Sequence, residues 1–166
     1  MTARLIFFGA FLGWAVFVAT SDIHFRRIRN SLVVAGLASA LMAAATGGNP
    51  FGISLAQSLT GAIVGLVCFS PLFALRVMGA ADVKVFAVLG AWCGASALLW
   101  LWIAASLAAG VHALWVVILS RTSVAALYKR STPTMTLGGR RATPYAAFLV
   151  IPAAMWLLHL VYVRGI

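Results

Sequence analysis

Residues 78–94 read MGAADVKVFAVLGAWCG and contain Asp82, one of only two acidic residues in the 166-residue chain. The other is Asp22, in the stretch ATSDIHFRRIRN at residues 19–30. The stretch 78–94 decides the fold, because a turn within it sets the number of helices. That number in turn decides whether the two carboxylates lie on the same side of a membrane.

The composition is typical of a membrane protein. Hydrophobic residues make up 64% of the chain and charged residues 8%, whereas soluble domains contain about 25% charged residues. The formal net charge is +10, but the basic residues stand in short segments between apolar runs, as in cytoplasmic loops. We therefore predict one integral-membrane domain over residues 1–166, with the lipid bilayer and not nucleic acid as a partner. Cys68 and Cys93 lack the spacing of a metal site.

Four uncharged runs, histidine aside, set the helix count: Leu5–Ser21, Ser31–Leu75, Val85–Ser120 and Ala142–Val163. A membrane-spanning helix needs about 20 apolar residues, so the first and last runs each fit one helix. The second run is too long for one helix. The turn signal GGNPFG at residues 47–52 divides it into two.

The third run fits either one long helix or two helices broken near Gly90–Gly94. The distribution of charge around it decides between them. The three arginines of residues 26–29 make the first loop cytoplasmic by the positive-inside rule. The segment 121–141 is also basic and should also be cytoplasmic. The chain must therefore cross the membrane twice between Lys84 and that segment.

The sequence thus predicts an all-α bundle of six transmembrane helices, near residues 4–21, 31–46, 53–75, 83–93, 95–120 and 143–163. Ten of the twelve basic residues then lie on the cytoplasmic side, and both termini lie on the opposite side. Asn30 or Ser31 suits the N-cap of the second helix. GxxxG pairs usually mark close packing between apolar helices, and three are present: Gly9/Gly13, Gly61/Gly65 and Gly90/Gly94.

This topology places the two aspartates on one side of the membrane. Asp22 ends the first predicted helix, and Asp82 begins the fourth. Two carboxylates brought close together do not both ionise easily, so that one keeps its proton while the other stays charged. Such a pair supplies a general base and a general acid. Alternatively, Asp22 pairs with Arg26 and Asp82 caps its helix, as isolated carboxylates at helix ends usually do.

Three segments carry a resemblance to a known family. Asp22 followed by RRIRN, then residues 78–94, and then TPYAAFLVIP at 143–152 resemble, in that order, the prepilin peptidases, membrane aspartic peptidases with a GxGD motif. The likeness is nearest to the small members of Flp/Tad pilus systems. It implies that two aspartates are catalytic and that three further residues support their motifs: Asp22 and Asp82, with Gly79, Lys84 and Asn30.

The resemblance also implies an activity and a location. The expected enzyme is an aspartic endopeptidase of the bacterial inner membrane that removes the basic leader peptide of a prepilin or pilin-like precursor. Cleavage typically follows a glycine of the leader, at the cytoplasmic face. The small members need no metal or organic cofactor and lack the N-methyltransferase activity of the larger enzymes.

Two positions depart from the family pattern, and two alternative functions stay open. The motif GxGD reads GAAD, with Ala81, and the usual Ile-Pro-Asn reads Ile-Arg-Asn, with Arg29. One alternative is a catalytically impaired homologue that acts as an assembly partner in pilus formation or secretion. The other is a small proton-coupled transporter whose aspartates relay protons, which the placement of both acids on one side disfavours.

Overall fold

The structure, a computed structural model, describes residues 2–25, 27–76, 78–121 and 145–164. All regular secondary structure in these ranges is helical, as predicted. The six helices are α1 (Thr2–Phe25), α2 (Asn30–Ala45), α3 (Leu55–Ala74), α4 (Ala80–Cys93), α5 (Ala95–Arg121) and α6 (Tyr145–Arg164). The break predicted near Gly90–Gly94 is confirmed, since α4 and α5 are separate helices. The basic residues at 129–141, which the predicted topology places in the cytoplasm, lie outside the described ranges.

Four of the six helices are long and apolar enough to cross a membrane: α1, α3, α5 and α6. The other two, α2 and α4, have 16 and 14 residues. At 1.5 Å per residue they are about 24 Å and 21 Å long, shorter than the ~30 Å hydrocarbon core of a bilayer. The predicted count of six transmembrane helices is therefore corrected: of the six helices in the described ranges, four have the length of a full span.

The short helix α4 lies at the centre of the bundle. From Val83 onward every residue except Lys84 and Ala87 is buried, with Phe86, Leu89 and Trp92 at 0% exposure. It packs against α2, α3, α5 and α6, and the ring of Trp92 meets that of Phe11 in α1 edge to face, with centroids 5.3 Å apart. A helix that is apolar on every side, as α4 is from Val85 onward, is expected in the interior of a bundle.

Glycines allow α3 and α4 to make backbone contact. A Cβ atom on Gly61 would collide with the carbonyl group of Gly90, and the reverse substitution would collide with Gly61. A Cβ atom on Gly65 would lie 2.6 Å from the carbonyl oxygen of Phe86. The predicted role of Gly61 and Gly65 in helix packing is thus confirmed, with Gly90 as the partner of Gly61 and the backbone at Phe86 as the partner of Gly65.

The other glycines of the predicted pairs have different surroundings. A Cβ atom on Gly9 or Gly13 would meet nothing within 4 Å, so the prediction that this pair packs closely against another helix is wrong among the described residues. Gly94 has φ 82° and forms the turn between α4 and α5. Glycine adopts this left-handed conformation without the steric penalty of other residues.

Buried hydrogen bonds hold the C-terminal end of α4. Asn49, in the turn between α2 and α3, donates through Nδ2 to the carbonyl of Trp92 at 3.2 Å and accepts from the N–H of Phe51 at 2.8 Å. The hydroxyl of Ser58 in α3 donates to the carbonyl of Ala91 at 2.6 Å. These bonds satisfy carbonyls that the end of a helix leaves free, and they fix the position of α4 along α3.

Replacing Gly61 with Ala should destabilise the protein by about 2 kcal/mol or more, because overpacking against backbone cannot be relieved by a side-chain rotation. The measurement is thermal unfolding of the purified protein in detergent micelles. The matched control is Gly9→Ala, which adds the same methyl group where nothing is in contact and should leave the unfolding temperature unchanged or slightly raised. Equal stability of the two variants would contradict the assigned helix contact.

Candidate active site

Asp22 joins the end of α1 to the beginning of α6. Its side chain is 7% exposed, and its Oδ2 accepts a hydrogen bond of 3.0 Å from the backbone N–H of Ala147. Ala147 lies in the first turn of α6, where backbone N–H groups have no acceptor within the helix. The carboxylate therefore receives a hydrogen bond at a helix N-terminus, where negative charge is favoured.

Asp82 lies in the first turn of α4 and bends back toward the start of the helix. Its Oδ2 accepts a hydrogen bond of 3.3 Å from the N–H of Gly79. A Cβ atom on Gly79 would lie 3.1 Å from the same oxygen, so glycine leaves room for the carboxylate. Ala81 is helical and does not have the positive φ that would strain an alanine. The departure from GxGD is therefore compatible with the local backbone.

The structure brings the two aspartates close enough to interact electrostatically. The pKa of Asp82, which lies outside the four long helices, is raised from 3.8 to about 6. Burial is the largest cause, the negative charge of Asp22 acts in the same direction, and the hydrogen bond from Gly79 partly opposes them. Asp82 therefore holds a proton over a pH range in which an exposed carboxyl group is ionised.

Lys84 ties α4 to the beginning of α2 at the same end of the bundle. Its Nζ donates a hydrogen bond of 2.8 Å to Oδ1 of Asn30. Neither Asn30 nor Ser31 is the helix cap, contrary to prediction, since the N-cap of α2 is Arg29 and no side chain caps it. The amide oxygen of Asn30, which a cap would use, is instead bound by the ammonium group of Lys84. Gly79 thus contacts Asp82 directly, whereas Lys84 and Asn30 contact each other beside the first turn of α4.

The first turn of α6 is a part of this site that residue types did not reveal. Ala147 contributes through its backbone, so no side chain marks it in the sequence. Tyr145 places its hydroxyl 2.9 Å from that of Ser106, which joins this turn to α5. The only signal was the motif TPYAAFLVIP at residues 143–152, which carried part of the family resemblance without a role for any of its residues.

These features define a class of protein: an apolar helical bundle with a pair of interacting carboxylates at one end. A family model described as the type IV leader peptidase family matches residues 9–114, a range that includes both aspartates. The chain belongs to the type IV leader peptidase family, and its four long apolar helices are those of a multi-pass inner-membrane protein. Comparisons with curated proteins and with solved structures give no match.

Replacing Asp22 with Asn should lower the pKa of Asp82 while burial keeps it above 3.8. Between pH 3.8 and about 6, folded Asp82 holds a proton that the unfolded chain releases, so its contribution to the free energy of unfolding decreases as the pH rises through this window. Asp22→Asn should lower the upper limit of this pH range, because the pKa of folded Asp82 is then lower. Thermal unfolding measured across this pH range checks the shift.

The control for this pH dependence is Asp82→Asn, which should remove the contribution altogether. Other carboxyl groups contribute little to the pH dependence in this range, because the chain has only two acidic side chains. If Asp82→Asn leaves the pH dependence of the unfolding temperature as it is in the wild type, the assignment of the raised pKa to Asp82 is wrong.

Proposed function

We propose that this protein is an aspartic endopeptidase that removes the basic leader of pilin-like precursors of the Flp/Tad kind. Membership of the type IV leader peptidase family implies a pilin-like precursor as the substrate. The observation that carries the aspartic mechanism is the interaction of Asp22 with Asp82. They are the only two acidic residues of the chain, and ionisable groups at membrane depth are usually functional.

The surroundings of the two aspartates differ, and this difference supports a different role for each. Asp22 accepts a hydrogen bond from the N-terminus of α6 and acts as the ionised partner, which takes a proton from the attacking water. Asp82, with its raised pKa, acts as the protonated partner. It donates a hydrogen bond to the scissile carbonyl oxygen as that carbon becomes tetrahedral.

The cleavage step then balances without any further reagent. Water forms a bond to the scissile carbon and loses one proton to Asp22, and the C–N bond breaks as the leaving amine takes up a proton from Asp82. Transfer of the proton from Asp22 to Asp82 then restores both aspartates to their starting states. The products are the carboxylate end of the leader and the free amine of the mature chain. The mechanism uses two carboxylates and water alone, so we expect no metal or organic cofactor, and the likeness to the small members predicts no methyltransferase activity.

We place the site at the cytoplasmic face of the membrane. Arg27, Arg29, Arg76 and Lys84 lie in or beside the connections at the end of the bundle that holds the aspartates, and basic connections remain in the cytoplasm. Both chain termini then lie on the opposite side. The precursor's apolar helix would lie in the bilayer beside the enzyme, with its basic leader at the cytoplasmic surface.

Asp22→Asn and Asp82→Asn should each reduce precursor cleavage by at least about 10³-fold, since residues that act as a unit lose most of the rate when either is removed. The measurement is the mobility of a co-expressed pilin-like precursor on a gel. Asn keeps the volume and the acceptor oxygen of each side chain, and thermal unfolding verifies the fold. His24→Ala, an exposed residue two positions from Asp22, is the control and should cleave normally.

The same experiment separates the alternatives. If either aspartate variant still yields the shortened product, the proposed mechanism is wrong. A wild-type protein that binds precursor but never shortens it would indicate an assembly partner without activity. Proton-driven uptake into vesicles, with no change in any precursor, would indicate a transporter.

We expect the contact between Lys84 and Asn30 to affect the cleavage rate by positioning Asp82, because it joins the beginning of α4 to the start of α2. Lys84→Met and Asn30→Leu should each lower kcat about tenfold with little change in KM, as expected for a charged hydrogen bond worth about 1.5–3 kcal/mol. The double variant should be no worse than the poorer single variant. Fully additive losses would show that the two residues act separately.

A further inference from the structure

A cavity of about 400 Å³ lies beside the candidate active site, between the C-terminal end of α1 and the N-terminal end of α2. Its lining does not include either aspartate, Asn30 or Lys84. The residues that line it are Phe17, Ser21, Arg29, Ser31, Leu32 and Ala35. The cavity is therefore distinct from the carboxylate pair, although Ser21 is the neighbour of Asp22 in the chain.

The walls of this cavity are held at a fixed distance by a contact deeper in the bundle. Trp14 of α1 donates a hydrogen bond of 3.0 Å from its indole Nε1 to the carbonyl of Leu32 in α2. The indole lies so close to α2 that a Cβ atom on Gly36 would collide with it. The buried Trp14 side chain therefore lies between the two helices next to the cavity.

The lining divides into a polar part and an apolar part. Arg29 supplies a guanidinium group, whose fork of N–H donors matches a phosphate, and Ser21 and Ser31 supply hydroxyls. The apolar part consists of Phe17, Leu32 and Ala35. None of the lining residues within the described ranges is acidic, so the cavity favours a negatively charged group that carries hydrocarbon.

We propose that this cavity binds an anionic phospholipid, with the phosphate on Arg29, Ser21 and Ser31 and an acyl chain along Phe17, Leu32 and Ala35. The location supports a lipid over a soluble anion. The cavity lies at the end of α1, an apolar helix long enough to span the membrane, where lipid headgroups meet hydrocarbon. The apolar half of its lining would make no favourable contact with free phosphate, whereas it suits an acyl chain.

The test uses the purified full-length protein in neutral detergent micelles, with phosphatidylglycerol as the probe. Phosphatidylglycerol should raise the unfolding temperature, and phosphatidylcholine, glycerol phosphate and inorganic phosphate at equal concentration should do so much less. Arg29→Gln should weaken phosphatidylglycerol binding by at least about tenfold, in keeping with the loss of a charged hydrogen bond. Native mass spectrometry counts the bound lipids.

The matched control is Arg27→Gln, which removes the same charge from an exposed residue of the same loop outside the cavity. It should retain the wild-type affinity. A second variant, Ala35→Trp, fills the apolar part without changing any charge and should also lose binding. Ala35 is exposed, so this variant should fold even if Arg29→Gln does not.

Several outcomes would overturn the proposal. Equal losses for Arg27→Gln and Arg29→Gln would indicate attraction to the whole basic surface, as happens for juxtamembrane basic segments. Equal stabilisation by inorganic phosphate would indicate a site for free anions, and equal stabilisation by phosphatidylcholine would indicate that the headgroup is not recognised. Unchanged binding to Ala35→Trp would exclude the cavity. None of these results depends on peptidase activity.

Discussion

Backbone contact between α3 and α4 is the constraint on which the rest of this structure depends. Gly61 and Gly90 meet without side chains between them, and Gly65 lies against the backbone at Phe86. This contact admits a short helix to the centre of the bundle, and hydrogen bonds from Asn49 and Ser58 hold its far end. The N-terminal turn of that helix, which carries Asp82, is thereby held level with the last turn of α1.

The two carboxylates then differ because of what surrounds them. Asp22 faces an N–H group at the start of α6, whereas burial, together with the charge of Asp22, raises the pKa of Asp82 to about 6. An apolar bundle strengthens the electrostatic effects that distinguish the two carboxylates, because few other charges or water molecules screen them. Arg29, at the same end of the bundle, lines the cavity to which we assign an anionic lipid.

Much of the fold was predictable, and the errors have identifiable physical causes. Hydropathy and the positive-inside rule located all six helices and the break before α5, because both depend on local composition. The same rules overcounted the spans, since they do not distinguish a helix surrounded by lipid from a short one surrounded by protein, such as α4. The capping role predicted for Asn30 was wrong because Lys84, 54 positions along the chain, binds the oxygen that a cap would use.

By itself, the sequence determined the helical membrane class of the protein and the pair of residues to which we assign the chemistry. With only two carboxylates in an apolar chain, no other acidic pair was available, and the order of the motifs indicated the family. Only the tertiary structure decided what each carboxylate contacts. Asp22 accepts a hydrogen bond from the backbone N–H group of Ala147, 125 positions away, and the environment of Asp82 depends on how deeply α4 is buried. Backbone donors and burial leave no side-chain signature, so they appear only when the helices are assembled.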